Sequence, residues 1–227
     1  MRRVAFFDID GTLLTGGPAK DAFCEAMIET YGTAGDPEAV SFGGKTDPQI
    51  ARQLLLGIGY RVERIEEQFP LLWQSYTERL EDKLTRCPMQ ILPGVSELLD
   101  ALTSLGDIGL GLLTGNIARG AELKLRSAAL RGYFALGSYG SDHEERHHLS
   151  RIALQRARAM WNPILPPEHT VVIGDTPRDV SCGLAVGSRT LAVATGSFTR
   201  SALVEAGANK VVTDLTDTDK ILSYLAA

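Results

Sequence analysis

The sequence predicts an α/β protein whose doubly wound parallel sheet is interrupted, after its first strand, by an inserted helical segment. Three observations predict this fold class. Short apolar runs alternate with stretches of helical periodicity from residue 90 onward. The runs are apolar throughout, which is typical of parallel strands covered on both faces. Between residues 19 and 89, helical patterns follow one another without a convincing strand.

The predicted strands lie at residues 4–7, 108–113, 170–174 and 190–194, with further candidates at 210–212 and 133–137. The helices between them are predicted at residues 95–105, 118–130, 149–160 and 178–186, followed by shorter ones at 201–206 and 217–225. In sheets wound in this way, ligands bind at the carboxyl ends of the strands. The functional residues are therefore expected where these strands end.

The inserted segment carries helical patterns at residues 21–31, 48–56 and 62–84. Gly16, Gly17 and Pro18 precede it, and Pro88 and Pro93 follow it. Glycine and proline in such positions are typical of linkers. We therefore predict a core domain of residues 1–15 and 90–227, and an inserted helical domain of residues 16–89.

Composition and charge argue against several functional classes. The 227 residues carry a net charge of −5, and no Lys/Arg cluster indicates a nucleic-acid-binding face. Cys24, Cys87 and Cys182 are too far apart to indicate a disulfide framework or a zinc site. The first apolar run is too short for a signal peptide or a membrane span. We expect a cytoplasmic protein without a nucleic-acid or membrane partner.

Polar residues follow three of the predicted strands. Asp8 follows the strand at 4–7, Thr114 the strand at 108–113 and Asp175 the strand at 170–174. One aspartate after a strand is commonly a turn residue, but three polar strand ends on one edge indicate a shared site. The pattern favours phosphoryl transfer, in which Asp8 is the candidate nucleophile. Asp10 leaves the strand on the same face and is the candidate acid and base.

Clustered carboxylates repel one another unless a cation lies among them. An all-oxygen set of carboxylates, a carbonyl and waters suits Mg²⁺. We expect Asp8 and Asp175 to be ligands, with Asp179 supporting them from behind. Phosphate oxygens are expected to bind at a helix start formed by Thr114, Gly115 and Asn116.

The ordered motifs resemble those of the haloacid dehalogenase superfamily of phosphatases, in the branch with a helical cap. They are DIDGTL from Asp8, LLTGN from Leu112 and IGDTPRD from Ile173. The resemblance covers nearly the whole chain and implies a Rossmann-like core with a C1-type cap. It implies Asp8 as the nucleophile and Asp175 as a metal ligand. Asp10 would be the acid and base, with its backbone carbonyl on Mg²⁺.

The implied activity is Mg²⁺-dependent hydrolysis of a small phosphate monoester, as in phosphoglycolate phosphatase-like proteins. A small phosphorylated acid is the first expectation for the metabolite, and a sugar phosphate is the second. Asp10 favours an ester over a halide, because the departing alcohol must be protonated. A phosphomutase with the same chemistry, and a non-catalytic ligand-binding protein that kept the fold, remain alternatives.

The third motif of the family departs from its usual form. A lysine is normal there, whereas the region from Gly140 reads GSDHEERHHLSRIALQRA. Arg146 aligns with the missing lysine, and Arg151 is the fallback. A cation at this place would offset the charge shared by the nucleophile and the phosphoryl group. Alternatively, Arg146 is an exposed helix-start residue paired with Glu144 or Glu145.

The inserted segment contains the stretch GGKTDPQ from Gly43. Thr46 and Gln49 have the spacing of a capping box at a helix start. As a second interpretation, the stretch is a substrate-contacting loop in which Lys45 meets another anionic group of the substrate. Tyr76 is expected to pack in the core.

Overall fold

The structure is a computed structural model that describes residues 2–227. Within these residues, eight strands run in chain order as β1 (Arg3–Phe7), β2 (Leu14–Thr15), β3 (Gln90–Ile91), β4 (Ile108–Leu113), β5 (Leu136–Ser138), β6 (Thr170–Gly174), β7 (Arg189–Val193) and β8 (Lys210–Val212). Six strands form one sheet in the order β5–β4–β1–β6–β7–β8, and all neighbours are parallel. The predicted α/β class with a parallel sheet is confirmed.

Nine α-helices occur in the same described range. In chain order they are α1 (Ala19–Tyr31), α2 (Asp47–Leu56), α3 (Val62–Arg86), α4 (Val95–Leu105), α5 (Ala118–Ser127), α6 (Arg146–Met160), α7 (Pro177–Leu184), α8 (Arg200–Glu205) and α9 (Thr218–Ala226). No helix of residues 2–227 combines the length and the apolar character that crossing a membrane requires.

The main sheet is buried on both faces. Consecutive residues of a strand point to opposite sides of the sheet, and both sets of β1 residues are buried. In β1, Val4 and Phe6 join an apolar cluster that contains Leu149 of α6. Ala5 and Phe7 join a larger cluster that includes residues of α4 and α9. The continuous apolar strands of the sequence follow from this double coverage.

Three element boundaries differ from the prediction by three residues, and the other predicted elements have ends within two residues of those observed. α6 begins at Arg146, three residues before the predicted start at residue 149. The prediction missed these residues because they are polar and show no apolar periodicity. α5 ends at residue 127, where Ala129 adopts a φ of 57° and the N–H of Leu130 donates to the carbonyl of Leu125 at 2.8 Å. This reversal is typical of a helix end. A 3₁₀ turn then occupies residues 131–133, so that β5 begins at Leu136.

The helical segment α1–α3 lies between β2 and β3. These two strands pair antiparallel, with Leu14 opposite Ile91 and Thr15 opposite Gln90. The pair was not predicted, because two-residue strands are too short to show a periodicity. It holds the chain entering the segment beside the chain leaving it.

The segment is held together by aromatic and ionic contacts between α1 and α3. The rings of Phe23 and Tyr76 meet edge to face, with 5.4 Å between their centroids. Lys83 of α3 forms an ion pair with Glu25 of α1 at 2.8 Å.

The predicted capping box at the start of α2 is confirmed. Thr46 Oγ1 accepts the N–H of Gln49 at 3.3 Å, and the Gln49 side chain accepts the N–H of Thr46 at 3.4 Å.

Candidate active site

Three neighbouring strands of the main sheet end at one cavity. β4, β1 and β6 are adjacent, and the residues that follow them are Thr114, Asp8 and Asp175. All three line a cavity of about 280 Å³, together with Asp10 and Arg146. The structure thus brings the side chains at these strand ends together.

Asp8, Asp175 and Asp179 form a buried acidic cluster. Each offers a carboxylate oxygen, and these oxygens all lie within 4.8 Å of one another. Burial, reinforced by the charges of Asp179 and Asp8, raises the pKa of Asp175 to about 8. Burial also raises the pKa of Asp8 to about 6, although the charge of Arg146 opposes the rise. Ionising these carboxylates together is therefore unfavourable unless a cation lies beside them.

The donor atoms of this cluster suit a hard divalent cation, because they are all oxygens. Asp179 is already engaged: one oxygen pairs with Arg146, and the other accepts from the N–H and hydroxyl of Thr176 at 3.0 and 2.7 Å. Asp175 is approached closely by the backbone, since a Cβ on Gly196 would lie 1.8 Å from its Oδ2. Asp8 and Asp175 are thus better placed than Asp179 to hold an ion directly.

Arg146 is buried beside the candidate nucleophile. Its side chain is 6% exposed, and its Nη2 lies 3.1 Å from Asp8 Oδ2 and also pairs with Asp179. The alternative of an exposed ion pair is not realised, because Glu144 pairs instead with an arginine of α2. Arg151, the fallback residue, is exposed. One planar guanidinium therefore bridges two carboxylates of the acidic cluster.

Residues 114–116 form a tight loop between β4 and α5. The N–H of Thr114 donates to the carbonyl of Ser138 at 3.0 Å. The backbone and side-chain amides of Asn116 both donate to Thr114 Oγ1, at 3.3 and 2.8 Å. Gly115 is required, because a Cβ there would lie 2.0 Å from the carbonyl oxygen of Lys45. The loop leads into a helix N-terminus, which favours anions.

Asp10 is bound by a lysine that the sequence interpretation missed. Lys124 of α5 is 5% exposed, and its Nζ lies 2.9 and 2.7 Å from the two Asp10 oxygens. Burial opposes the effect, but Lys124 and Asn116 together hold the pKa of Asp10 below its usual value. The sequence contained a signal: Lys124 lies three residues after Ala121, on the buried face of α5.

Comparison with known proteins identifies the family. Residues 3–187 match the haloacid dehalogenase-like hydrolases. The chain belongs to this family. Phosphoglycolate phosphatase 1 of Pseudomonas aeruginosa is 25% identical over 221 residues, covering 95% of this chain and 78% of that protein. N-acetylmuramic acid 6-phosphate phosphatase of Pseudomonas putida is 26% identical over 194 residues, covering 86% of this chain and 83% of that protein.

Solved structures share the fold of this haloacid dehalogenase-like hydrolase. A hydrolase from Pseudomonas syringae superposes with a TM-score of 0.74 at 19% sequence identity, covering 99% of this chain and 100% of that one. The resemblance stated from the motifs is confirmed. The chain is a phosphoric monoester hydrolase of this family and is similar to phosphoglycolate phosphatases.

In this hydrolase, the helical segment α1–α3 and its loops supply one side of the cavity wall. Lys45 lines the cavity, and its Nζ donates to Gln53 Oε1 at 2.5 Å. Tyr76, which was expected to pack in the core, is 2% exposed and lines the cavity as well.

Asp47 was missed, because its place after Thr46 is that of an ordinary residue at a helix start. Its Oδ2 accepts the N–H of Ile117 at 2.8 Å, and burial raises its pKa to about 6.

Proposed function

We propose that this hydrolase is a Mg²⁺-dependent phosphatase that hydrolyses a small phosphate monoester through an aspartyl-phosphate on Asp8. The observation that carries the proposal is the convergence of the acidic cluster, Arg146 and the 114–116 loop on one cavity. The phosphatases among the relatives support the same reaction class.

In the first step, an oxygen of Asp8 attacks phosphorus, and the bond from phosphorus to the ester oxygen breaks. Arg146, 3.1 Å from Asp8 Oδ2, offsets the negative charge that the nucleophile and the phosphoryl group bring together. Thr114 Oγ1 already accepts two hydrogen bonds from Asn116, so its own proton is left to donate to a phosphoryl oxygen.

Mg²⁺ would be held by Asp8 and Asp175, with Asp179 behind them and with the Asp10 carbonyl that the family resemblance adds. The bound ion supplies further neutralisation of phosphoryl charge. The proposal draws support from the raised pKa values of Asp8 and Asp175, which result from burial and from carboxylates in close contact.

Asp10 handles the proton in both steps. It donates a proton to the departing alcohol oxygen, and it later accepts one from the water that attacks the phosphoenzyme. Its lowered pKa in the free protein suits the second role. The negative charge of a bound phosphate ester raises the pKa of a neighbouring carboxyl, which favours the first role.

We propose further that residues 16–89 form a cap domain over a core of residues 1–15 and 90–227. Support comes from contacts between the start of α2 and the core. The N–H of Asp47 donates to the carbonyl of Gly115 at 2.8 Å, and Thr46 Oγ1 donates to the carbonyl of Glu144 at 2.7 Å. A cap held in this way keeps bulk water from the phosphoryl group during transfer.

The substrate is a small phosphorylated metabolite. A cavity of about 280 Å³ lies at the lower end of the size range of ligand sites. Within residues 2–227, no salt bridge involves Lys45, and its ammonium group donates to the neutral side chain of Gln53. Lys45 is therefore suited to a second anionic group, which makes a phosphorylated acid the first choice and a sugar phosphate the second.

The proposal is tested by phosphate release from phosphoglycolate, sugar phosphates and p-nitrophenyl phosphate, with Mg²⁺ or with EDTA. We expect Mg²⁺-dependent release that Asp8→Asn abolishes. Lys45→Met should raise KM for the carboxylate ester and leave KM for p-nitrophenyl phosphate unchanged. Folded, Mg²⁺-loaded protein that releases no phosphate from any ester would contradict the proposal, and phosphoryl transfer to a sugar acceptor without release would favour a phosphomutase.

A further inference from the structure

Lys124 is a buried cation inside the cavity that the proposed reaction does not use. Its side chain is 5% exposed, yet its ammonium group lines the cavity. The group donates to Asp10 Oδ1 at 2.9 Å, to Asp10 Oδ2 at 2.7 Å and to Asn116 Oδ1 at 2.6 Å. An ammonium has three N–H donors, and three acceptor oxygens surround this one. Lys124 therefore has no donor left for a substrate.

Lys124 also fixes the orientation of the Asn116 amide. Because a lysine can only donate, the oxygen of that amide must face it. The amide nitrogen then points the other way, toward Asp10 Oδ2 at 2.7 Å and Thr114 Oγ1 at 2.8 Å. The same chain of bonds leaves the Thr114 hydroxyl proton free for a phosphoryl oxygen. One ammonium thus orders both the candidate acid and a phosphate-binding hydroxyl.

The two buried cations of the cavity serve different carboxylates. Arg146 pairs with Asp8 and Asp179, the nucleophile and the acid behind it. Lys124 pairs with both oxygens of Asp10, whose side chain is 47% exposed and whose Oδ2 also accepts from the Asn116 amide. The arginine is thus placed to act on the nucleophile, and the lysine is placed to act on the proton donor.

Resting on the proposed phosphatase function, we propose that Lys124 is a positioning residue for proton transfer. Its ammonium holds the Asp10 carboxyl, and through Asn116 the Thr114 hydroxyl, in the arrangement that delivers a proton to the departing oxygen and a hydrogen bond to the phosphoryl group. Lys124 itself touches neither reacting atom.

Comparing kcat for two esters with different leaving groups distinguishes this role of Lys124 from a merely structural one. An alkyl phosphate needs its alcohol protonated as it departs, whereas p-nitrophenolate leaves without a proton. We expect Lys124→Met to lower kcat for an alkyl ester by about 100-fold, the lower end of the range for general acid catalysis. For p-nitrophenyl phosphate we expect a loss of only a few-fold. The matched control is Lys83→Met, which removes a half-buried lysine that forms an ion pair within the helical segment; it should change neither rate.

A second comparison uses a variant that already lacks the acid. If Lys124 acts on proton transfer through Asp10, adding Lys124→Met to Asp10→Asn should lower kcat for the alkyl ester only by the few-fold loss expected for p-nitrophenyl phosphate, which comes from the Thr114 hydroxyl. Lys124→Arg should restore part of the alkyl-ester rate, because it keeps a charged donor. Lys124→Gln replaces Lys124→Met if the latter does not fold, as judged by thermal unfolding.

Binding of inorganic phosphate tests the Thr114 part of the arrangement without turnover. Calorimetry should show Kd for phosphate rising several-fold in Lys124→Met and unchanged in Lys83→Met. Equal losses on both esters, a full further loss in the Asp10→Asn background, or an unchanged phosphate Kd would overturn the inference. Release from p-nitrophenyl phosphate that depends on Asp8 would leave the phosphatase function standing in each of these cases.

Discussion

Mg²⁺ should stabilise the folded protein far more at pH 8 than at pH 5. Without metal, burial and neighbouring carboxylates raise the pKa of Asp8 from 3.8 to about 6 and that of Asp175 from 3.8 to about 8. The folded state therefore binds these two protons more tightly than the unfolded chain does. The corresponding stability is fully present below pH 3.8 and is lost as the pH rises through 6 and 8.

The magnitude follows from the two shifts. One pKa unit corresponds to about 1.4 kcal/mol, and between pH 5 and 8 the two groups together lose stability on the order of 5 kcal/mol, most of it from Asp175. For a chain of this size, 1 kcal/mol changes Tm by about 2–4 °C, so metal-free Tm should fall by about 10–20 °C. A divalent cation between the carboxylates replaces the protons and should remove most of this fall.

The assay is thermal unfolding followed by circular dichroism from pH 5 to pH 8, with EDTA or with saturating Mg²⁺. The difference between the two Tm values should be small at pH 5 and about 10 °C or more at pH 8. Asp47, whose pKa is also raised, contributes equally to both series and cancels in the difference. Asp175→Asn is the control, and it should abolish the growth of the difference with pH.

Two results would contradict this expectation. The first is a metal-free Tm that stays constant or rises between pH 5 and pH 8, because burial would then not disfavour the ionised carboxylates of the cluster. The second is a stabilisation by Mg²⁺ that is the same at both pH values, because the ion would then bind elsewhere.

Substitutions at three further positions have defined outcomes. Arg146→Met should lower kcat by about 10²–10³-fold, because it removes the positive charge beside Asp8. Arg146→Lys keeps a positive charge and should lower kcat less. Steady-state kinetics measures both values. Asp47→Ala should cost about 1.5–3 kcal/mol in urea unfolding, because it removes the carboxylate that accepts the N–H of Ile117. Gly196→Ala should raise Kd for Mg²⁺ at least about tenfold by calorimetry, since its Cβ would lie 1.8 Å from Asp175 Oδ2.

Each of these predictions has a contrary result. Equal kcat values for Arg146→Met and the wild type would place the guanidinium outside the reaction. An unchanged unfolding free energy for Asp47→Ala would mean that its bond to the core contributes nothing. Unchanged Mg²⁺ affinity in Gly196→Ala would mean that the close packing of Gly196 against Asp175 does not affect binding of the ion.

The fold was predictable because its signals are local. Apolar runs bounded by polar residues located the strands, and the motif at each strand end located the cavity, since neighbouring parallel strands end on one edge. The capping box at Thr46 was predictable for the same reason, as its two partners are three residues apart. The start of α6 was not, because its first turn is entirely polar.

The missed site residues depend on contacts between distant parts of the chain. Lys124 meets Asp10 across 114 residues, and Asp47 meets Ile117 across 70. Their spacing in the sequence therefore carries no information about these pairs. Arg146 shows the intermediate case: the resemblance placed it near the third motif, but its burial against Asp8 depends on how α6 packs on the sheet. A lysine on an otherwise apolar helix face was the one usable signal.

The most direct test of the central claim is to trap the phosphoenzyme. Wild-type protein with Mg²⁺ is quenched during turnover of p-nitrophenyl phosphate and treated with borohydride, which reduces an acyl phosphate to an alcohol, and the peptide containing Asp8 is analysed by mass spectrometry. We expect conversion of the Asp8 side chain to the alcohol in the presence of substrate and Mg²⁺, and none with EDTA. Phosphate release with no modification at Asp8, or with modification at a different carboxylate, would contradict the central claim.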